Sequence, residues 1–428
     1  MTKTNGIILK KNENDGNKSL KKLYEYDDSI LKNQYKKYIN LIKHFKQTYN
    51  HNTFKLFSSP GRVEIGGNHT DHQNGCVIAA AVNVENIAIA AKNNSAIIQV
   101  SSKGFSKFSI DINDLSIDKS KFYTSESLVR GICARLKNVG YKIEGFDVYI
   151  NSGVPLGSGL SSSAAFEVLI GKIISSLFNN GTLSAVENAM TGQWAENNHF
   201  GKPCGLMDQI ACSVGGLIFI DFKNPQKPLV KKIDFDFMST GYTLVITETG
   251  GSHANLNQEY ASLPIEMKSV ANEFGKDVLR NVSLPQIIKA LPTIRKKTGD
   301  RALLRSIHFQ EENARVLKQV KALKNKDFKL FLSHIIQSGY SSFMYNQNIY
   351  TSGSVKEQSM ALGLALSELI LNCKGAWRVH GGGFAGTILA FVPKELLDTY
   401  ITTMENVFGK TKSKKLLIRE VGAIEINY

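Results

Sequence analysis

The stretch Val154-Pro155-Leu156-Gly157-Ser158-Gly159-Leu160-Ser161-Ser162-Ser163-Ala164-Ala165 lies between an alternating, strand-like run, FDVYINSGV, and an apolar, helix-like run, AAFEVLIGKIISSLF. Glycines in such a loop let the backbone approach an anion closely. The helix start adds unpaired N–H groups and the positive end of its dipole. Strand, glycine–serine loop and helix together therefore suit a phosphate. The loop is neither a Walker GxxxxGK[ST] sequence nor a GxGxxG dinucleotide fingerprint. A serine N-cap on an ordinary helix reads from the same residues, so the rest of the chain must decide between the two.

On the N-terminal side of this loop, the runs FKLFSS, GCVIAAAV, NIAIAAK and AIIQVSS between Phe54 and Val100 predict short strands and hairpins in a mixed sheet. Before them, apolar residues at helical spacing (Tyr35, Tyr38, Leu41, Ile42, Phe45) predict an amphipathic helix. Residues 1–22 are polar and charged and read as a flexible leader. On the C-terminal side, helices over about 184–199, 254–275, 305–325 and 355–372 alternate with strands GLIFIDF, YTLVITET, WRVHG and TILAFVP. The fold class is α+β, with a lobe boundary within residues 215–250 and no internal repeat.

Length and composition fit this picture. A chain of 428 residues with 42% hydrophobic content can bury a large core and divides into two or three lobes. Its apolar runs fall short of the ~20 residues needed to cross a bilayer. The N-terminus carries no apolar signal region, and a cytoplasmic location is expected. The five cysteines (Cys76, Cys133, Cys204, Cys212, Cys373) are scattered without CxxC spacing, so they read as reduced thiols. The formal charge of +15 raises the question of nucleic acid. Its lysines and arginines are spread along the chain and form no basic helix with interleaved aromatics, which favours a solvated surface and no nucleic-acid partner.

Three further segments carry chemistry. Pro60-Gly61-Arg62-Val63-Glu64-Ile65-Gly66-Gly67-Asn68-His69-Thr70-Asp71-His72 sets polar and ionisable residues between apolar strands. That suits a polyhydroxylated ligand, with Arg62 opposite developing negative charge; a ligand-free polar turn has the same composition. In Glu196-Asn-Asn-His-Phe-Gly-Lys-Pro-Cys-Gly205-Leu-Met-Asp208-Gln209, two carboxylates twelve residues apart are placed to divide metal binding from base catalysis. A helix end and an N-cap Asp are the plainer reading. Finally, Val379-His-Gly-Gly-Gly-Phe-Ala-Gly-Thr387 is a glycine turn whose backbone can lie against a nucleotide or against the first loop.

These four segments, in this order, resemble the galactokinases of the GHMP kinase superfamily, and the likeness spans roughly residues 20–428. The resemblance implies a two-lobed α+β GHMP kinase fold, with lobes 23–220 and 221–428 and the active site in the cleft between them. It implies ATP and Mg²⁺ as cofactors and a galactose-like sugar phosphorylated at its anomeric hydroxyl. Gly157, Ser158, Gly159, Leu160, Ser161, Ser162 and Ser163 would form the phosphate loop, and Ser163 and Glu196 would hold the metal. Asp208 would be the catalytic base, supported by Arg62. Arg62, Asn68, His69, Asp71, Gly205, Asp208 and Tyr260 would contact the sugar, and the GGGFAG turn would brace the phosphate loop.

The chain departs from the family pattern RVNxIGEHTD, reading RVEIGGNHTD, so that Asn68 stands at the position of the sugar-contacting Glu. Tyr260 is followed by ASLPIEM without the usual Arg. A related sugar (N-acetylgalactosamine, galacturonate or arabinose) or a non-catalytic sensor are the alternatives. The intact serine loop and Asp208 speak for catalysis. The sequence carries no readable signature of oligomeric state.

Overall fold

The computed structural model describes residues 23–24, 28–155, 157–251, 256–351, 353 and 355–427; the leader read over 1–22 lies outside them. Helix α1 (Asp28–Tyr49) turns Tyr38, Leu41 and Phe45 inward, as their spacing requires, against Leu56, Ile87 and Ile89 of the first sheet. That sheet runs β12-β1-β2-β5-β3-β4, with β6 and then β7 added beside β2. Its strands are β1 (Lys55–Gly66), β2 (Cys76–Lys92), β3 (Ile97–Ser102), β4 (Phe108–Asp111), β5 (Phe146–Ser152), β6 (Leu217–Asp221), β7 (Leu229–Lys232) and β12 (Ile424–Ile426). All pairings are antiparallel except β3 with β5.

The runs GCVIAAAV and NIAIAAK, expected as separate short strands, are one strand of 17 residues. The polar residues between them do not make a turn, because the chain's C-terminal segment satisfies them in place. Asn83 pairs with Leu417 through backbone and side chain, and buried Glu85 accepts from Arg419 at 2.6 Å. Strand β12 then pairs with β1, so the last residues of the chain close the first sheet.

The second sheet is antiparallel, in the order β11 (Ser413–Leu416), β8 (Tyr242–Gly250), β10 (Gly386–Pro393), β9 (Ala376–His380). Side chains alternate across it as the period of two demands. Leu244, Ile246, Leu389 and Phe391 face Phe331 and the first sheet's core, while Val245, Ile388, Ala390 and Val392 face the helices Ser359–Leu371 and Leu397–Phe408. Helices beyond those expected are Met207–Val214, Leu284–Thr298, Phe328–Ser341 and Leu397–Phe408. In Leu284–Thr298 a proline at the start and Pro292 inside obscure the pattern that a Ser283 capping box establishes. Among the described residues no helix is long and apolar enough to cross a membrane.

Candidate active site

A cleft of about 700 Å³, within the size range of small-molecule sites, is lined by Arg62, Glu64, His69, Asp71, Gly205, Asp208 and Tyr260, among others. Of the residues expected to hold a sugar, it lacks only Asn68. Arg62 stands on β1 and Asp208 in the first turn of helix Met207–Val214. Arg62 grips the Asp208 carboxylate with two parallel bonds, Nε to Oδ1 at 2.7 Å and Nη2 to Oδ2 at 2.6 Å. Its third nitrogen, Nη1, donates to the Gly159 carbonyl, and Ser161 Oγ donates to Asp208 Oδ2. Burial pushes the Asp208 carboxyl up, but Arg62 and the Ser161 hydroxyl pull it below the ordinary range, so it is a carboxylate at neutral pH.

The glycine–serine loop between β5 and the following helix turns through left-handed backbone. Gly157 and Gly159 have φ of +70° and +74°, and Ser161, immediately before the helix Ser162–Phe178, is also left-handed at +58°. Leu160 points into the core, and its carbonyl accepts the Arg62 N–H at 3.1 Å. The β9–β10 hairpin holds this loop and β1: Thr387 Oγ1 donates to the Ser158 carbonyl at 3.0 Å, and His380 Nε2 accepts the N–H of Glu64 on β1 at 3.1 Å. A Cβ at Gly159 would meet both side chains, 2.8 Å from Thr387 Oγ1 and 3.1 Å from His380 Nδ1.

Ser163 and Glu196 come together across the loop, with Oγ 3.4 Å from Oε1. Glu196 begins a π-helical turn, Glu196–Phe200, a geometry concentrated at functional sites. Lys202 Nζ lies 3.6 Å from the same Oε1, so this carboxylate already attracts a cation. Behind it, Gln209 Nε2 donates to Glu196 Oε2 at 2.9 Å and to Glu167 Oε2 at 3.0 Å. Burial, with Glu196 adding to it, pushes the Glu167 carboxyl well up.

Deeper in the cleft, a Cβ at Gly205 would fall on Asp71 Oδ2, so a side chain there would displace the Asp71 carboxyl. Burial raises the Asp71 carboxyl to about 6, against the His72 N–H that it accepts. His69 Nε2 donates to the Gly382 carbonyl at 2.9 Å, and burial lowers its pKa to about 4, so it is neutral. Tyr260 Oη donates to the Gly383 carbonyl at 2.9 Å while its ring lies over Gly382.

Asn68 is fully buried and turned away from the cleft. Its Nδ2 donates to Glu64 Oε1 and the Gly381 carbonyl, and its Oδ1 accepts from Ser342 and Asn348. The loop that carries it hangs from Glu312, whose Oε1 accepts the N–H groups of Gly67 and Asn68 at 3.1 and 3.4 Å. Burial alone would raise the Glu312 carboxyl, but Arg315 and neighbouring cations bring it down to about 2.

Glu64, Glu167, Glu312 and Arg378 have no assigned role in the sequence motifs, yet all four support the site. For Glu167 and Arg378 the signal in the sequence is a charge inside an apolar run, AAFEVLIG and WRVHG; Glu312, within QEENAR, carries no such signal.

Residues 127–216 match the family model for the GHMP kinases N-terminal domain, and residues 43–92 match the galactokinase galactose-binding signature. A galactokinase of Lactococcus lactis, solved in complex with galactose, superposes with a TM-score of 0.78 at 22% identity, covering 90% of this chain and 98% of that one. A mevalonate kinase superposes with a TM-score of 0.60 at 16% identity, covering 85% and 99%. The fold is that of the GHMP kinases. A galactokinase from Glaesserella parasuis serovar 5 is 32% identical over 83% of this chain and 89% of its own length. One from Clostridium tetani is 29% identical over 86% and 92%. The chain belongs to the galactokinase family.

Proposed function

We propose that this protein transfers the γ-phosphoryl group of ATP to the C1 hydroxyl of D-galactose, giving galactose 1-phosphate and ADP. The observation that carries the reading is the position of Asp208, which lines the sugar-sized cleft and also touches the phosphate loop through Ser161. A sugar hydroxyl oriented by Asp208 is thereby directed at a phosphate cradled by residues 157–163. Phosphoryl transfer needs alignment and charge neutralisation more than a strong base, because bond making lags bond breaking. A carboxylate fixed by Arg62 meets that need: it aims the hydroxyl and accepts its proton as the new O–P bond forms and the bond to the ADP oxygen breaks. The released proton stays beside the guanidinium, whose charge also faces the transferring group.

The oxygen donors of Ser163 and Glu196 fit a Mg²⁺ ion, which prefers carboxylate and hydroxyl ligands and keeps its remaining positions for phosphate and water. Bound there, the ion would neutralise phosphate charge. Glu167 and Gln209 fix the Glu196 carboxylate from behind.

A coupled ADP-release assay with MgATP tests the reading against galactose, N-acetylgalactosamine, glucose, arabinose and galacturonate. Turnover on galactose is expected to exceed that on every other sugar by about tenfold or more. Activity confined to another sugar moves the specificity, and inactivity on all of them overturns the proposal.

Asp71 gives a pH dependence. With its carboxyl near 6 in the free protein, hydrogen bonds from sugar hydroxyls favour the charged form and bind best above that pH. The galactose KM is expected to rise as pH falls through 6, and Asp71→Asn should remove the step. A profile flat between pH 5 and 8 contradicts this role.

A further inference from the structure

We infer that Glu64, and not the residue at position 68, presents the side chain that selects the sugar; this rests on the sugar-kinase reading above and adds a residue to it. Glu64 lies two residues beyond Arg62 in an unbroken stretch of β1, paired with Ala79 where Arg62 pairs with Ala81. Side chains two apart on a strand share a face, so Glu64 shares with Arg62 the face that holds Asp208, and it lines the same cleft. Both of its side-chain bonds fall on one oxygen. Oε1 accepts from Asn68 Nδ2 at 3.1 Å and from Arg378, while Oε2 has no hydrogen-bond donor among the described residues.

Asn68 has nothing left to offer a ligand. An amide has two N–H donors and two carbonyl lone pairs; here the donors go to Glu64 and the Gly381 carbonyl, and the lone pairs to Ser342 and Asn348. Compared with RVNxIGEHTD, the amide and the carboxylate have exchanged positions 64 and 68. Because the two side chains are hydrogen-bonded to each other, the exchange keeps one carboxylate and one amide in the pair and changes which of them meets the cleft. Buried Arg378 balances the charge that results.

Glu64 Oε2 therefore accepts from a sugar hydroxyl other than the one at C1. A carboxylate can only accept here, so the site rejects sugars that lack that hydroxyl. With Asp71 and Asp208 in the same cleft, it also rejects sugars that carry an acid group.

The test uses the full chain, MgATP, galactose and a monodeoxygalactose series. Glu64→Asp keeps a negative charge beside Arg378 and withdraws the oxygen by one methylene; Glu64→Gln removes the charge. Both should raise the galactose KM about tenfold or more and leave the MgATP KM within about twofold. One deoxy sugar should lose about a hundredfold in kcat/KM with the wild-type protein and much less with Glu64→Asp, since the contact is already lost. An unchanged galactose KM in Glu64→Asp overturns the inference and leaves the kinase reading standing. Equal deoxy-sugar losses in wild type and variant overturn it in the same way. If Glu64→Gln does not fold, Glu64→Asp decides, and if neither folds, a wild-type series in which no deoxy sugar loses more than about threefold overturns it. Wild-type inactivity on every sugar overturns both readings.

Discussion

Asp208→Asn is expected to lower kcat by about a thousandfold, the range of an oriented general base, while the MgATP KM stays within a few-fold of wild type. The substitution is nearly isosteric, so its effect isolates charge and proton acceptance. An amide offers Arg62 only one acceptor in place of the two that now receive Nε and Nη2 at 2.7 and 2.6 Å. It also offers the guanidinium no counter-charge, so Arg62, 6% exposed, is left with one fewer bond in a nearly dry setting. Unfolding free energy should fall by about 1–3 kcal/mol as a result. Because Asp208 is itself 33% exposed, water takes part of that loss and the fold should survive. The decisive comparison is turnover in folded protein. A rate within tenfold of wild type at saturating galactose and MgATP would remove Asp208 from the chemistry, whatever happens to thermal stability.

Gly159→Ala is expected to have the next largest effect, and on the other substrate. Its φ of +74° costs a side chain about 1–2 kcal/mol. Its new Cβ would stand 2.8 Å from Thr387 Oγ1 and 3.1 Å from His380 Nδ1, neither of which is free to move. Thr387 holds the Ser158 carbonyl and His380 holds the Glu64 N–H, so relief at one contact displaces the phosphate loop and relief at the other displaces β1. The MgATP KM should rise about tenfold or more, with a lower kcat, because a misplacement of about 1 Å is enough to lose alignment. Gly157→Ala supplies the control. Its φ of +70° is equally unfavourable, but nothing lies within 4 Å of the added Cβ, so it should carry the strain without the collision. If the two variants have the same MgATP KM, bracing by the C-terminal hairpin has no part in ATP binding.

The separation of effects expected between the two substrates follows from the layout of the site. Arg62 joins its two halves, with two nitrogens on Asp208 and the third on the Gly159 carbonyl. Asp71, Gly205 and Tyr260 line the cleft, so on the proposed reading their changes fall mainly in the sugar KM. The helices Asp300–Lys324 and Phe328–Ser341 act at one remove, holding the Gly67–Asn68 turn through Glu312, His308 and Ser338.

The sequence by itself determined the local devices whose chemistry is contiguous. Glycines at 157 and 159 and serines at 161–163 announce a loop before a helix, because glycine accepts left-handed backbone at little cost and serine is common at helix starts. Apolar period fixed helix α1 and the alternating strands of the second sheet, and the order of four motifs pointed to the family. Tertiary structure alone decided three things. It ran β2 through Asn83 and Glu85, because their partners Leu417 and Arg419 lie more than three hundred residues away. It returned β12 to the first sheet. It also decided which of two hydrogen-bonded side chains, four residues apart, lines the cleft. A string of letters shows Glu64 and Asn68 as equally polar; burial and the saturation of one amide by Glu64 and three neighbours from distant segments distinguish them.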